Sequence, residues 1–298
     1  MNHNEEEDEG NPITQEILTQ LIKKQNLYMT PSLNEILYLH QQGFTKISNL
    51  GQFINLKTLW LNNNAISTIE GLDELKHLVT LNLSNNLIDK ISGLDNLTNL
   101  HSLILSNNYI SKIEGLDNCK SLKDLQIDHN KLKNAENLSG LLNAPSIEIL
   151  NINNNMIDDE NSANVLIQLT NLRVLRMSGN DCIKKIKNYR RLLVSSLPNL
   201  KYLDEAPVDD SERRIVDAWK VGGSEAEMKV RNEINNETEA FHKQVLDEYD
   251  ELIKQGKLER GEPLEDVENV DDVDDQNEEL NQNEQNPNIM KQNLDEVD

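Results

Sequence analysis

Basic residues, aromatic residues and cysteines are all scarce in this chain. Lys and Arg number 29 against 52 Asp and Glu, so the formal net charge is −23. This excess of acid argues against binding to nucleic-acid phosphates, which requires clustered Lys and Arg. No apolar run approaches the length of a membrane-spanning helix, so the sequence predicts no contact with a membrane. The acidic, polar start of the chain has no signal-peptide pattern, which favours a cytoplasmic protein.

The two cysteines, Cys119 and Cys182, offer neither a disulfide framework nor metal-ligand spacing. Cys182 stands where the local pattern requires an apolar residue, so we expect a buried thiol. The histidines show no metal-ligand spacing, and the motifs of phosphate-binding loops, zinc proteases and serine hydrolases are missing. We therefore predict no catalytic, cofactor-binding or metal-binding residues, and we interpret the chain as a protein-binding factor, not an enzyme.

The strongest pattern is a set of apolar positions and one asparagine that recurs every 22 residues. It first appears complete at Leu56, Leu59, Leu61, Asn64, Ile66, Ile69 and Leu72. Three further copies follow, and three less regular ones flank them, with Gln42 replacing the asparagine in the first. The pattern L-x-x-L-x-L-x-x-N-x-I is the leucine-rich-repeat signature. It predicts an α/β solenoid, an arc with parallel strands on its concave face and helical caps at its ends.

The domain boundaries follow from where this pattern begins and stops. Asn11-Pro12 is typical of a helix start, and the helix would cap the open end of the array. Gly222-Gly223 is expected to interrupt a later helix. The two ends of the chain carry 18 of its 23 net negative charges. We predict an acidic leader and capping helix, about seven repeats of 22–25 residues, a C-terminal cap, a charged helical extension and a disordered acidic tail. These span residues 1–30, 31–187, 188–210, 211–258 and 259–298.

One asparagine follows each strand, at the point where the chain must turn. An amide can donate twice and accept, so it can satisfy backbone groups of its own turn and of the neighbouring copy. We predict a structural role for this asparagine ladder. Its members are Asn64, Asn86, Asn108, Asn130, Asn155 and Asn180.

Partner contacts are expected on the concave face, because alternate strand residues point away from the core. Trp60 is hard to explain by folding alone, since Trp and Tyr often anchor interfaces. The alternative is that the chain's own N-terminus covers it. Asp124 and Asp128 are interpreted as solvated carboxylates, not a cation site or an acid pair. The predicted concave-face residues are Tyr38, His40, Trp60, Asn62, Asn82, Ile104, Asp124, Gln126, Asp128, Asn151 and Arg176.

A second contact surface is predicted on the C-terminal helix. A thin apolar stripe runs through it among many charges, and Trp219, Phe241 and Tyr249 are its aromatic members. The stripe could dock on a partner helix, lie along the repeats or remain solvated. The sequence leaves these three possibilities open.

The flanks of the array are more specific than the repeats. From Tyr28 to about Lys257 the chain resembles the dynein axonemal assembly factor 1 family, leucine-rich-repeat proteins of motile cilia. The likeness rests on residues 30–40 with Gly43-Phe44 and residues 59–61, on the cap Asn188-Tyr189-Arg190-Arg191 with Leu203-Asp204 and Pro207-Val208, and on Ala218-Trp219 followed by Gly222-Gly223.

The resemblance implies a non-enzymatic cytoplasmic factor that helps to preassemble dynein arms for cilia or flagella. Its implied partners are axonemal dynein chains, chaperones or other assembly factors. Two other classes remain open: a regulatory subunit of a protein phosphatase, which shares the repeat and the cap, and an acidic nuclear leucine-rich-repeat protein, which shares an acidic tail. The phosphatase regulator would not need the Gly222-Gly223 break and the long helix. The acidic nuclear protein has fewer repeats and a tail of nearly pure Asp and Glu, whereas this tail is diluted by Asn and Gln after Asp275. An axonemal dynein light chain has the same repeats but lacks that helix.

Overall fold

The computed structural model describes residues 10–261 and Pro263. The chain divides into two compact units, residues 1–231 and 232–298, and each is described here by itself. The predicted acidic leader before residue 10 and most of the predicted disordered tail lie outside the described residues.

A ladder of very short strands forms one nine-stranded sheet in strict chain order. Strands β1 to β8 are parallel to their neighbours, and β9 turns back antiparallel to β8. The strands are β1 Ile36–Tyr38, β2 Thr58–Trp60, β3 Thr80–Asn82, β4 Ser102–Ile104, β5 Asp124–Gln126, β6 Ile149–Asn151, β7 Val174–Arg176, β8 Tyr202–Leu203 and β9 Ala206–Pro207.

The register of the sheet repeats the period of the sequence. Leu59 pairs with Leu81, and Leu81 with Leu103, so the central leucines of successive strands stack in one line. All of these leucines are buried, while their strand neighbours mostly face outward. Each copy therefore buries its apolar side against the next one, which no single repeat could do alone. The predicted leucine-rich-repeat solenoid is confirmed.

The N-terminal cap differs from its prediction at the start. Helix α1 spans Gln15–Lys24, and Thr14 is its N-cap, with the hydroxyl accepting from Ile17 N. The predicted helix start at Asn11-Pro12 is wrong. Asn11 instead exchanges hydrogen bonds with Thr45, and Pro12 bridges to Lys46, so this segment extends the first repeat as an edge. Helix α1 covers the first repeat with Leu18, Leu21 and Ile22, which are buried, as expected of a capping helix.

The segments between strands are mostly turns, and helices appear where the repeats lengthen. The 3₁₀ helices are Pro31–Leu33 and Ser139–Asn143, and the short α-helices are α2 Ala135–Leu138, α3 Ser162–Leu166 and α4 Cys182–Lys185. Helix α3 lies in the longer segment between β6 and β7.

The array is closed by helix α5, Tyr189–Ser196, together with β8 and β9. Tyr189 donates its hydroxyl to Asp204 Oδ2 at 2.9 Å, and Met177 N donates to Asp204 Oδ1 at 2.8 Å. Burial and the nearby Asp204 charge raise the pKa of Tyr189, so its hydroxyl stays protonated as the donor. Asp204 thus ties the cap to the last repeat.

Helix α6 spans Asp210–Glu259 and is interrupted at Gly223, whose φ of 65° and ψ of −155° are not helical. The predicted break at Gly222-Gly223 is confirmed. This backbone region is open essentially to glycine alone. Before the break, Arg213 donates to Leu200 O at 2.6 Å and to Val194 O at 3.1 Å, and Val216 is buried. The start of α6 is therefore part of the cap.

Candidate protein-binding face

The N-terminal end of the concave face is aromatic. The rings of Tyr38 and Trp60 stack with centroids 6.3 Å apart and an interplanar angle of 30°. His40 meets the Tyr38 ring edge-on at 6.1 Å. Tyr38 is 42% exposed, and Trp60 and His40 are half-buried. Adjacent parallel strands carry the two stacked rings in register, so the pair presents one joint apolar surface.

Asn82 was predicted to point outward for contact, and the structure corrects this. Its exposure is only 6%, and its Oδ1 accepts from Ser84 N at 3.0 Å and Ser84 Oγ at 2.7 Å. The short side chain lies between Trp60 and Ile104 on the neighbouring strands, in register with both. Asn82 therefore forms the floor of a dip, not a projecting contact.

The middle of the face is half-buried and holds two ordered carboxylates. Asp124 accepts from Ser102 Oγ at 3.1 Å, and Asp128 accepts from Asn151 Nδ2 at 3.0 Å. Ser106 and Gln126 each donate to one of them as well. Among the described residues neither carboxylate forms a salt bridge, and no group of three His, Cys, Asp or Glu side chains there could hold a metal ion. These neutral donors hold both carboxylates in place with their charge uncompensated.

The remaining predicted residues are also half-buried. Asn62, Asn151 and Arg176 lie on the same face, and Arg176 marks its C-terminal end. The face thus passes from aromatic, through small and polar, to acidic and finally to one basic residue.

The six members of the asparagine ladder make the same three bonds. Asn86 Nδ2 donates to Leu83 O in its own copy at 2.9 Å and to Leu61 O in the preceding copy at 3.0 Å. Its Oδ1 accepts from Ile66 N, also in the preceding copy, at 3.1 Å. The other members make the equivalent bonds: Asn64, Asn108, Asn130, Asn155 and Asn180. These amides are occupied within the chain.

The three predicted residues of α6 are in different environments. Trp219 is half-buried, and the Arg191 guanidinium lies 4.9 Å from the centre of its ring. Arg191 also forms a salt bridge with Glu227 at 2.9 Å. Trp219 therefore belongs partly to the cap, a cation–π contact that the sequence did not indicate. Phe241 and Tyr249, which lie in the second unit, are 63% and 61% exposed.

Sequence reasoning missed an apolar column beside the concave face. Leu87, Tyr109 and Met156 each follow a ladder asparagine, and each is about half exposed. Lys131, in the same position of an intervening copy, places its Nζ 4.2 Å from the centre of the Tyr109 ring. The signal was present, since large apolar residues occupy a variable position of the repeat in three copies, but period alone does not separate an exposed position from a buried one.

Comparison with known proteins assigns the fold. A family model described as leucine-rich repeats in two copies matches residues 54–96 and 98–143. This chain contains leucine-rich repeats and has their fold. Among solved structures, the leucine-rich-repeat internalin C2 of Listeria monocytogenes is 27% identical, with a TM-score of 0.51 over 62% of this chain and 77% of the internalin. No helix among the described residues is long and apolar enough to cross a bilayer.

Curated relatives confirm the resemblance to the dynein axonemal assembly factor 1 family. The leucine-rich-repeat-containing protein ODA7 of Chlamydomonas reinhardtii is 48% identical over 227 residues, which cover 76% of this chain and 52% of ODA7. Dynein axonemal assembly factor 1 of Mus musculus is 52% identical over 256 residues, which cover 85% of this chain and 40% of the mouse protein. The chain thus spans about half the length of these relatives, or less. The match extends well beyond the repeats.

Proposed function

We propose that this chain is a non-enzymatic protein-binding factor that acts in the cytoplasm during assembly of axonemal dynein arms for motile cilia or flagella. The names of its relatives support the process, and a leucine-rich-repeat array supports the mode of action, because such arrays present a continuous face to other proteins. Axonemal dynein chains and chaperones are the proposed partners.

The observation that carries the proposal is the stacked pair Tyr38 and Trp60. The core leucines of the array are buried and its ladder amides are bonded within the chain. Two large aromatic rings stacked on the outward side of β1 and β2 do nothing for that core. Aromatic side chains of this kind dominate the energetics of interfaces when a partner covers them.

The proposed mechanism is adaptor binding. The concave face holds a segment of a dynein chain or chaperone, and the exposed Phe241 and Tyr249 of α6 provide a second contact. The strongly negative charge of the chain keeps the factor soluble and discourages polyanionic partners.

The experiment uses flagellated cells that lack their own relative and express either this chain or the double variant Tyr38→Ala with Trp60→Ala. Affinity capture followed by mass spectrometry identifies partners, and electron microscopy of axonemes counts dynein arms. We expect the wild-type chain to recover dynein chains and chaperones and to restore the arms, and the double variant to do neither. The matched control is Tyr28→Ala with Ile54→Ala, which removes two exposed apolar side chains that do not lie on the strands of that face.

Normal arms in cells without any such chain would overturn the proposed function. Recovery of a phosphatase catalytic subunit in place of dynein chains would favour a phosphatase-regulating role. Unchanged dynein recovery with the double variant would move the contact from the concave face to α6.

A further inference from the structure

The concave face has a dip with walls of different chemistry. In register across four strands stand Trp60, Asn82, Ile104 and Gln126. Asn82 is 6% exposed, whereas Trp60 and Ile104 on either side remain partly accessible. A short residue between two large apolar ones leaves a depression with an aromatic wall and an aliphatic wall. An apolar side chain of a partner placed over Asn82 would contact Trp60 on one side and Ile104 on the other and would bury carbon against carbon.

Two strands further along, the chemistry changes to acid. Gln126 lies in register with Ile104, and Asp124 and Asp128 flank it within the same copy. The adjacent Lys123 does not neutralise them, since it is held by Glu148 at 2.8 Å. Ser102 and Asn151 fix the carboxylates as acceptors, so each presents oriented charge without a cation in the described structure. Such a position attracts a Lys or Arg of a partner.

The face also contains two buried amide oxygens without a donor. Asn62 Oδ1 and Asn153 Oδ1 are covered by neighbours and find no donor among the described residues. Buried acceptors without donors are uncommon in folded proteins. Because these two oxygens are buried, a partner cannot bond to them, and only the two carboxylates bear on its chemistry, where they favour a basic partner over an acidic one.

The two subsites are separated by a defined length. Asn82 lies on β3 and Gln126 on β5, and two steps across a sheet measure about 10 Å. Seven residues of α-helix advance about 10.5 Å and return to nearly the same face. Side chains seven apart on a helix that crosses the strands therefore reach both subsites together, as in other helix-in-groove contacts.

We propose that the concave face binds an amphipathic partner helix with an apolar anchor in the dip over Asn82 and a Lys or Arg seven residues away between Asp124 and Asp128. This proposal rests on the proposed protein-binding function and names the chemistry of the segment that is bound. Arg176, at the far end of the face, repels a second basic residue there and limits how far along the face the cation can sit.

The test is a selection from displayed helical peptides that share a polar scaffold with two randomised positions. One library places these positions seven residues apart, and the other places them five apart, on different sides of the helix. The full chain is the bait. We expect enrichment from the first library alone, with an aromatic or aliphatic residue at one position and Lys or Arg at the other.

Charge reversal gives the decisive comparison. With Asp124→Lys and Asp128→Lys, the affinity of the selected basic peptides should fall by a factor of about ten or more. A new selection with this variant should favour Asp or Glu at the position of the basic residue. The off-face control Asp89→Lys, at an exposed turn, should leave the original preference unchanged. The isosteric pair Asp124→Asn and Asp128→Asn should also weaken basic peptides, and it guards against misfolding because an amide oxygen can still accept from Ser102 and Asn151.

The proposal is overturned if no peptide is enriched, if both spacings are enriched equally, or if charge reversal leaves the preference for basic residues intact. Dynein-arm counts in cells that carry the charge-reversed chain separate this outcome from the wider function. Normal arms together with a reversed peptide preference would mean that the face binds such helices but that arm assembly does not use it. Loss of arms together with a failed selection would sustain the proposed function and reject the helix.

Discussion

Apolar side chains are buried in the repeat array and exposed in the C-terminal part of α6. In the array Leu59, Leu81 and Leu103 are fully buried, and every copy contributes to one continuous core. In residues 232–259 Phe241, Leu246 and Leu252 are each more than 60% exposed. Both segments have a regular apolar period, so periodicity alone does not decide burial. What differs is the presence of a next copy against which the apolar side can pack.

This comparison separates residues that stabilise the fold from residues that are available to bind a partner. An array whose core and ladder are satisfied gains stability from its own residues. A helix with an exposed apolar side gains little from folding beyond its backbone bonds, and that side is available to a partner. Perturbations in the two regions should therefore differ in stability and in binding.

The largest difference is expected in thiol reactivity. Burial raises the pKa of Cys119 to about 11, so at pH 8 the thiol is protonated as well as inaccessible. A cysteine introduced by Ala240→Cys on the exposed helix should react with an aromatic disulfide reagent about a thousandfold faster or more, because Cys119 reacts only through opening of the array. The substitutions Cys119→Ser and Cys182→Ser, made singly and together, show which thiol gives each reaction signal. Equal rates would mean that the array is not a stable core.

Core truncation should come next. Leu103→Ala removes a fully buried side chain and should lower the free energy of unfolding by about 2–5 kcal/mol. Leu252→Ala removes the same atoms from the exposed helix and should change it by less than about 0.5 kcal/mol. Urea denaturation followed by circular dichroism measures both. A comparable loss for Leu252→Ala would show that the helix side is covered within the chain.

Loss of a ladder amide is expected to cost somewhat less than core truncation. Asn108→Ala leaves Leu83 O and Ile88 N without their side-chain partner, and the cost should be about 1–3 kcal/mol. The exposed Asn118→Ala is the control, and its melting temperature should be unchanged. An unaltered melting temperature for Asn108→Ala would contradict the structural role of the ladder.

The smallest expected effect lies at the cap. Tyr189→Phe removes the hydroxyl that donates to Asp204 but keeps the ring in place, so the loss should be about 0.5–1.5 kcal/mol. Tyr202→Phe, on the exposed strand β8, provides the matched comparison and should be neutral. Thermal melts of the two variants and the wild type are sufficient. A larger loss for Tyr202→Phe would place the closing contact elsewhere.

Most of the fold could be predicted because every copy has the same requirements for burial in its strand and for hydrogen bonding in its turn. A leucine at the centre of a three-residue strand must point inward, and an amide must fill the turn after it, whatever the neighbouring copies contain. The start of α1 could not be predicted in the same way. Asn11-Pro12 satisfies the rules for a helix start, but its backbone pairs with Thr45 and Lys46, more than 30 positions later, and that tertiary pairing prevails.

The candidate site was predictable only in outline. Alternation correctly placed Tyr38, Trp60 and Ile104 outward, and it failed for Asn82 because its depth depends on the size of side chains one strand away on either side. The contact of Trp219 with the cap was missed for a similar reason. The helical pattern gives the direction of its side chain, but it does not indicate that the guanidinium of Arg191, on a different helix, lies over its ring. Contacts between copies and between elements are decided by shape, which a one-dimensional period does not contain.

The bonds of the asparagine ladder also relate the order of the repeats to the order in which they are synthesised. Asn86 bonds to Leu61 and Ile66 of the copy before it, and Asn108 bonds in the same way to Leu83 and Ile88. Each turn is thus completed by the copy that follows it, and Asp204 of the cap reaches back to Met177 in the last one. A ribosome releases the chain in that same order. Every repeat that emerges therefore completes the one synthesised just before it, and the cap residues that close the array emerge after all of its repeats.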